Sequence, residues 1–269
     1  MSLWNAKNIT VPLDGTEMYG VSFGRGKRNL IILPGLSDGL TTVKGKALLL
    51  APPYKDFMDE FTVYMFSRRN RIPEEYTIAD MAEDQALAIH KLGMEKVSVV
   101  GVSQGGMIAL SLCLAHPGLV EKLVIAVSAA KVNDLIRKNI GEWITYAENN
   151  DHKQLMVSTA EKSYSEAYLK KYRKMYPVLG MVGKPKDYQR FLANANAILG
   201  FDVEERLPEI TCPVLVIGGQ EDKIVGPQAS LDMARKIPGS LLYMYPGLGH
   251  AAYEEAEDFN RRVYDFLKD

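Results

Sequence analysis

Short β-branched runs alternate with amphipathic helical stretches through most of the chain, and no other feature of the sequence narrows the fold so far. NLIILPG (29–35), FTVYMFS (61–67), KVSVVGVS (96–103), KLVIAVSAA (122–130), CPVLVIGG (212–219) and SLLYMYPG (240–247) read as strands. Between them lie helical patterns. In TIADMAEDQALAIHKLG (77–93), Thr77 caps the start with Asp80 three residues on, and Gly93 ends it. An apolar helix from Gly106 to about His116 stops at Pro117-Gly118, another ends near Pro238-Gly239, and YEEAEDFNRRVYDFLKD closes the chain as a helix. Strands separated by helices of this length pair in parallel, and near-continuous apolar strands need cover on both faces. The expected class is α/β, a mostly parallel central sheet with helices on both faces. An early hairpin, ITVPL then MYGVSFG, turns at Asp14-Gly15.

The rhythm breaks between residues 131 and 206. Strand-like runs vanish, and the stretch is helical, charged and rich in Tyr and Met: Tyr164, Tyr168, Tyr172, Met175 and Tyr176. It reads as an insertion packing over one edge of the sheet, with these aromatic and Met side chains mainly in its core. The expected organisation is a core over 1–130 and 207–269 interrupted by a helical insertion over 131–206. A chain of 269 residues buries roughly 70–75% of its unfolded surface, enough for a sizeable core.

The chain carries 32 basic and 33 acidic residues, so charge offers no basis for nucleic acid or an anionic membrane as partner. The basic run KKYRK (170–174) reads as a solvated helix face. Cys113 and Cys212 lie in apolar contexts without metal spacing and read as free, buried thiols in a reducing compartment. MSLWNAKNIT has neither a basic nor an apolar leader region, and no apolar run is long enough to span a bilayer. A cytoplasmic protein is expected. No HExxH, His/Cys cluster or GxxxxGK[ST] is present, so no metal or nucleotide cofactor is expected.

The stretch GVSQGG (101–106) sits between an apolar strand and a helix and fits G-x-S-x-G. A strand that turns into a helix within one residue strains the serine and leaves no room for a Cβ two residues before or after it. Gly101 and Gly105 occupy those two positions, and Gly106 adds close packing. The helix N-terminus would present free N–H groups beside Ser103. Ser103 is the candidate nucleophile; a plain structural turn is the alternative.

A serine hydroxyl needs a base, and the base needs an orienting group. Of four histidines, His90 lies mid-helix, His116 at a helix end and His152 in the polar stretch ENNDHK, where it reads as solvated. His250, in YPGLGHAAYEE, follows a strand and precedes the last helix, at the strand end where open α/β sheets place their sites. VLVIGGQEDKIVGP supplies Asp222 as orienting carboxylate, with Glu221 as the alternative.

The order Ser103…Asp222…His250, with GVSQGG, GGQEDKIVGP and GLGHAAYEE in strand-end loops, resembles the α/β-hydrolase superfamily over nearly the whole chain. The segment 131–206 is similar to that family's helical cap. The resemblance implies two-step acyl transfer by Ser103, His250 and Asp222, with an oxyanion hole formed by the backbone N–H groups of Gln104 and Leu36. On that reading Gln104 serves through its N–H rather than its side chain. Many relatives carry His-Gly where this chain has Pro34-Gly35, which puts the shape of the LPGLSDG loop, and a role for the Ser37 hydroxyl, in question. The implied activity is hydrolysis of a small-molecule ester, with carbon–carbon bond hydrolase, enol-lactonase and non-catalytic binder as rivals. Ser103 in place of an aspartate argues against the family's dehalogenases.

Overall fold

A computed structural model describes residues 3–179 and 183–269, so Gly180, Met181 and Val182 of the expected insertion lie outside the described residues. The hairpin forms as expected: β1 (Lys7–Leu13) and β2 (Thr16–Gly24) run antiparallel, and Gly15 in their turn takes φ +72°. β3 (Arg28–Leu33), α1 (Ala47–Leu50), β4 (Phe61–Arg69), α2 (Ile78–Lys91), β5 (Val97–Val102), α3 (Gln104–Ala115) and β6 (Val120–Ala126) follow. Next come α4 (Asp134–Glu148), α5 (His152–Ser163), α6 (Glu166–Tyr172), α7 (Tyr176–Leu179) and α8 (Gln189–Leu199). The core resumes with β7 (Val214–Gly219), α9 (Pro227–Lys236), β8 (Leu241–Tyr245), α10 (Ala252–Glu255) and α11 (Phe259–Lys268).

The strands form one eight-stranded sheet, in the order β1-β2-β4-β3-β5-β6-β7-β8. The first three neighbours pair antiparallel, and from β4 to β8 every pair is parallel. Side chains alternate between two cores. Ile31 and Leu33 of β3 join Met81, Ile89 and Ile108 on one face; Leu30 and Ile32 join Phe57, Val263 and Leu267 on the other. β5 and β7 are buried at every position, which is why their sequences read as unbroken apolar runs. α3 is buried from Gln104 to Leu114, consistent with its apolar surface all round. α2 starts with the expected capping box between Thr77 and Asp80.

Three local expectations need correction. β6 ends at Ala126 instead of running to Ala130, because Val127 turns to φ 45° and leaves the extended region. The closing helix is two helices, α10 and α11, since Ala256 adopts extended backbone (φ −79°, ψ 116°) between them. His152 is not solvated: it is buried at the start of α5, and its Nδ1 lies 2.9 Å from the Tyr188 hydroxyl.

The helices α4 to α8 leave and rejoin the core at one point. Lys131 and Asp202 form an antiparallel bridge there, flanked by bonds from Val132 N–H to Phe201 O (3.1 Å) and Val203 N–H to Ala130 O (2.8 Å). They do not lie along one edge of the sheet. They sit on the loops at the C-terminal ends of the parallel strands: Asn139 donates to Lys223 O (2.8 Å), and Ala251 N–H donates to Ser163 O (2.8 Å). Nor do the tyrosines form their core. Tyr164, Tyr168 and Tyr172 are half-buried and stack in a ladder with centroids 4.2 and 4.4 Å apart; Tyr168 and Tyr172 share one face of α6 at four-residue spacing, and Tyr164 joins them from the extended segment before that helix. Met175 is exposed, and Tyr176 alone of the five is buried.

Candidate active site

Ser103 occupies the turn between β5 and α3 with φ 54° and ψ −120°, a conformation that side-chain-bearing residues avoid. The surrounding glycines explain how the chain tolerates it. A Cβ on Gly101 would stand 2.4 Å from Gly105 O, and one on Gly105 only 1.9 Å from Leu33 O. A Cβ on Gly106 would press on Ser128 at 2.6 Å. The turn is braced as well as cleared: Ser103 N–H donates to Ala126 O (2.9 Å), and the Ser128 hydroxyl donates to Ser103 O (2.7 Å). Ser103 itself is half-buried.

The loops after β7 and β8 bring the other two residues in. Gly219 lets them meet, since a Cβ there would lie 2.2 Å from Gly249 O. Glu221 N–H then bonds to Leu248 O (2.9 Å) while its side chain faces solvent. The buried carboxylate is therefore Asp222, not Glu221. Its Oδ1 accepts from the N–H groups of Ile224 (2.8 Å) and Val225 (3.0 Å), and its Oδ2 lies 2.8 Å from His250 Nδ1. His250 Nε2 lies 2.9 Å from Ser103 Oγ. With Nδ1–H directed at the carboxylate, Nε2 is the basic nitrogen facing the serine hydroxyl.

Burial pushes the Asp222 carboxyl upward, but the His250 charge, its hydrogen bond and the two backbone N–H groups outweigh that and hold it below the ordinary carboxylate value. Its folded-state pKa thus lies below its unfolded one. The associated stability is complete above the ordinary carboxylate range and is lost as pH falls through the lowered value. Asp222→Asn is expected to flatten the acid limb of the stability curve below about pH 4, measured as urea midpoints from pH 6 to pH 3. Parallel limbs in variant and wild type would refute the assignment.

The loop after β3 comes directly against the nucleophile: a Cβ on Gly35 would sit 3.3 Å from Ser103 Cβ. Leu36 and Gln104 each open a helical turn, and their backbone N–H groups have no partner among the described residues. Ser37 is exposed. The Gln104 side chain is engaged in addition to its N–H. Oε1 accepts from Arg68 (3.0 Å), and Nε2 donates to Asn194 O (2.6 Å). Burial lowers the Arg68 guanidinium against the opposing pull of Asp38. No local motif marks Arg68, Asp38, Arg190 or Asn194, because charged and polar residues near strand, loop and helix ends resemble solvated surface.

The remaining candidates take structural places. His90 is exposed on α2, and His116 meets Glu83 at 3.0 Å. In KKYRK, Lys170, Lys171, Arg173 and Lys174 are exposed, with Arg173 held by Glu161 and Glu166. Cys113 is buried but Cys212 only partly so; their sulfurs share a hydrogen bond at 3.5 Å and are not joined by a disulfide. Among the described residues no three His, Cys, Asp or Glu side chains cluster as metal ligands, and no helix is long and apolar enough to cross a membrane.

Comparison with known proteins bears on the family and the fold. A family model described as serine aminopeptidase, S33, matches residues 73–257, a span that contains Ser103, Asp222 and His250. A protein of Caulobacter sp. (strain K31) named as the carbamate hydrolase RutD is 27% identical over 245 residues, covering 86% of this chain and 89% of its own. An α/β-hydrolase enzyme from a Medee basin deep-sea metagenome library, MGS-M2, superposes with TM-score 0.85 at 20% identity, over 97% of this chain and 98% of its own. The enol-lactonase from Burkholderia xenovorans LB400 does so with TM-score 0.83 at 21% identity, over 97% and 100%. The chain belongs to the serine aminopeptidase S33 family of α/β hydrolases.

Proposed function

We propose that the protein is a serine hydrolase that cleaves a small-molecule ester, or a related acyl compound, through a covalent acyl-enzyme. The carrying observation is the continuous chain from Ser103 Oγ through His250 to Asp222 at 2.9 and 2.8 Å, set on a strained turn beside two free N–H groups. His250 Nε2 takes the hydroxyl proton as Ser103 Oγ bonds to the substrate carbonyl carbon. The carbonyl oxygen becomes an anion received by the N–H groups of Leu36 and Gln104. His250 then returns its proton to the departing alcohol oxygen. Water repeats the sequence on the acyl-serine, releasing the acid and restoring Ser103. Asp222 holds the imidazole tautomer and offsets its transient charge. The helices of 131–206, seated over the strand ends, serve as a cap that shapes the substrate pocket.

A carbamate presents the same carbonyl to the same groups, and the Caulobacter relative's name makes it the second substrate class to assay. The test is a panel of p-nitrophenyl esters, aryl carbamates and enol-lactones, run beside labelling with a fluorophosphonate. Turnover of at least one class and a single phosphonyl adduct on Ser103, found by peptide mass spectrometry, are expected. An adduct elsewhere, or turnover that persists after full labelling of Ser103, would sink the proposal.

A further inference from the structure

Buried polar side chains fasten the loop after β3 and the start of α3 to α8. Arg68, near the end of β4, has no exposed surface. Its Nη2 donates to Pro34 O (2.7 Å), Gly35 O (3.5 Å) and Gln104 Oε1 (3.0 Å). Gln104 Nε2 passes the connection to Asn194 O on α8. Beside it Asp38, also buried, accepts through Oδ2 from Arg68 N–H (3.0 Å) and from Arg190 Nη2 (2.8 Å). Arg190, on α8, further donates to the carbonyls of Asp38 (3.1 Å), Arg68 (2.8 Å) and Arg69 (2.8 Å). The loop and helix meet closely, since a Cβ on Gly39 would stand 2.8 Å from Phe191 Cα.

The acceptors of the Arg68 guanidinium are specific in one respect: all belong to residues 34, 35 and 104, which flank or carry the two N–H groups beside Ser103. Gly35 C=O and Leu36 N–H share one trans peptide and point in opposite directions. Holding that carbonyl between Arg68 Nη2 and Asp38 N–H (3.3 Å) therefore fixes the Leu36 N–H in the opposite direction. The Gln104 side chain ties the second donor residue to the same guanidinium. We infer that Arg68 and Gln104 are positioning residues for the two oxyanion donors, and that Arg190 and Asn194 bring α8 into the same network. The seating of α8 on the loop then governs whether the oxyanion hole is formed. This inference rests on the serine-hydrolase reading above.

Arg68 is wholly enclosed and its removal endangers the fold, so Arg190, whose side chain is 19% exposed, is the better probe. In the full chain, Arg190→Met is expected to lower kcat on an active p-nitrophenyl ester by roughly 10–100-fold, with KM within about threefold, because misplacing donors harms the transition state selectively. Arg190→Lys should recover part of the loss. The inhibition constant of an alkyl boronic acid, whose tetrahedral adduct presents an anionic oxygen to the hole, should rise by the same factor as kcat/KM falls. That of a non-hydrolysable ether analogue of the ester should stay put. If Arg190→Met lowers the thermal midpoint but leaves kcat and boronate affinity within twofold, the contact is only structural and the inference is overturned. Ser103→Ala run in parallel separates the two levels: full turnover without Ser103 would discard the serine-hydrolase reading itself, whatever Arg190 does.

Discussion

Ser103→Ala is expected to lower kcat/KM for an acyl ester by roughly 10⁴–10⁶ while leaving the fold intact. On the proposed mechanism the loss is that large because Ser103 Oγ, within 2.9 Å of His250 Nε2, is the atom that bonds to the substrate carbon. On the same mechanism the three groups would act as one unit, so their losses would not add. The double variant Ser103→Ala/His250→Ala should be no slower than either single one, with a residual rate over water from the Leu36 and Gln104 N–H groups. Steady-state release of p-nitrophenol from all three variants measures this. A loss under tenfold in Ser103→Ala, or a double variant slower by the product of the singles, would contradict it.

Gly105→Ala should have the largest effect on stability of any single methyl added to a glycine at the site. The new Cβ would fall 1.9 Å from Leu33 O, 2.6 Å from Leu33 C and 2.8 Å from Pro34 O, all backbone atoms. Restoring ordinary contact requires α3 to retreat from β3 by roughly 1.5 Å through a close-packed core. A cost of about 4 kcal/mol or more is expected, or about 10 °C in thermal midpoint, and with it the placement of Ser103. Gly141→Ala is the matched control. It lies within α4, nothing stands within 4 Å of its added Cβ, and the same substitution should gain up to about 1 kcal/mol from helix propensity. Equal midpoints for the two variants would rule out the steric account of the turn.

What could be read without coordinates was what depends on period and local sterics. The apolar runs that became β3, β5 and β7 specified a sheet covered on both faces, because a strand buried twice has no polar side to show. Gly101 and Gly105 marked the turn, because only glycine fits where backbone approaches within such distances, and Gly106 clears the Ser128 side chain beside it. Ser103, Asp222 and His250 were legible because each follows a strand, and parallel strands deliver their C-terminal ends to one rim.

Tertiary structure decided the rest, for reasons no local pattern encodes. Glu221 and Asp222 are adjacent and chemically alike; the bond from Glu221 N–H to Leu248 O turns one side chain to solvent and the other to His250. His152 sits among polar neighbours in sequence, yet Tyr188, thirty-six positions on, receives its imidazole in a buried site. Val127 ended a strand whose sequence would have continued it. Arg68, Asp38 and Arg190 resemble surface charges until three separate segments enclose them. Hydrophobic period and glycine sterics act between neighbours in the chain, so the sheet, the turn and the candidate residues are legible from residue order alone. Only the tertiary structure decided which carboxylate faces His250 and how α8 grips the loop beside Ser103, because burial and hydrogen-bond partnership are set by segments distant in sequence.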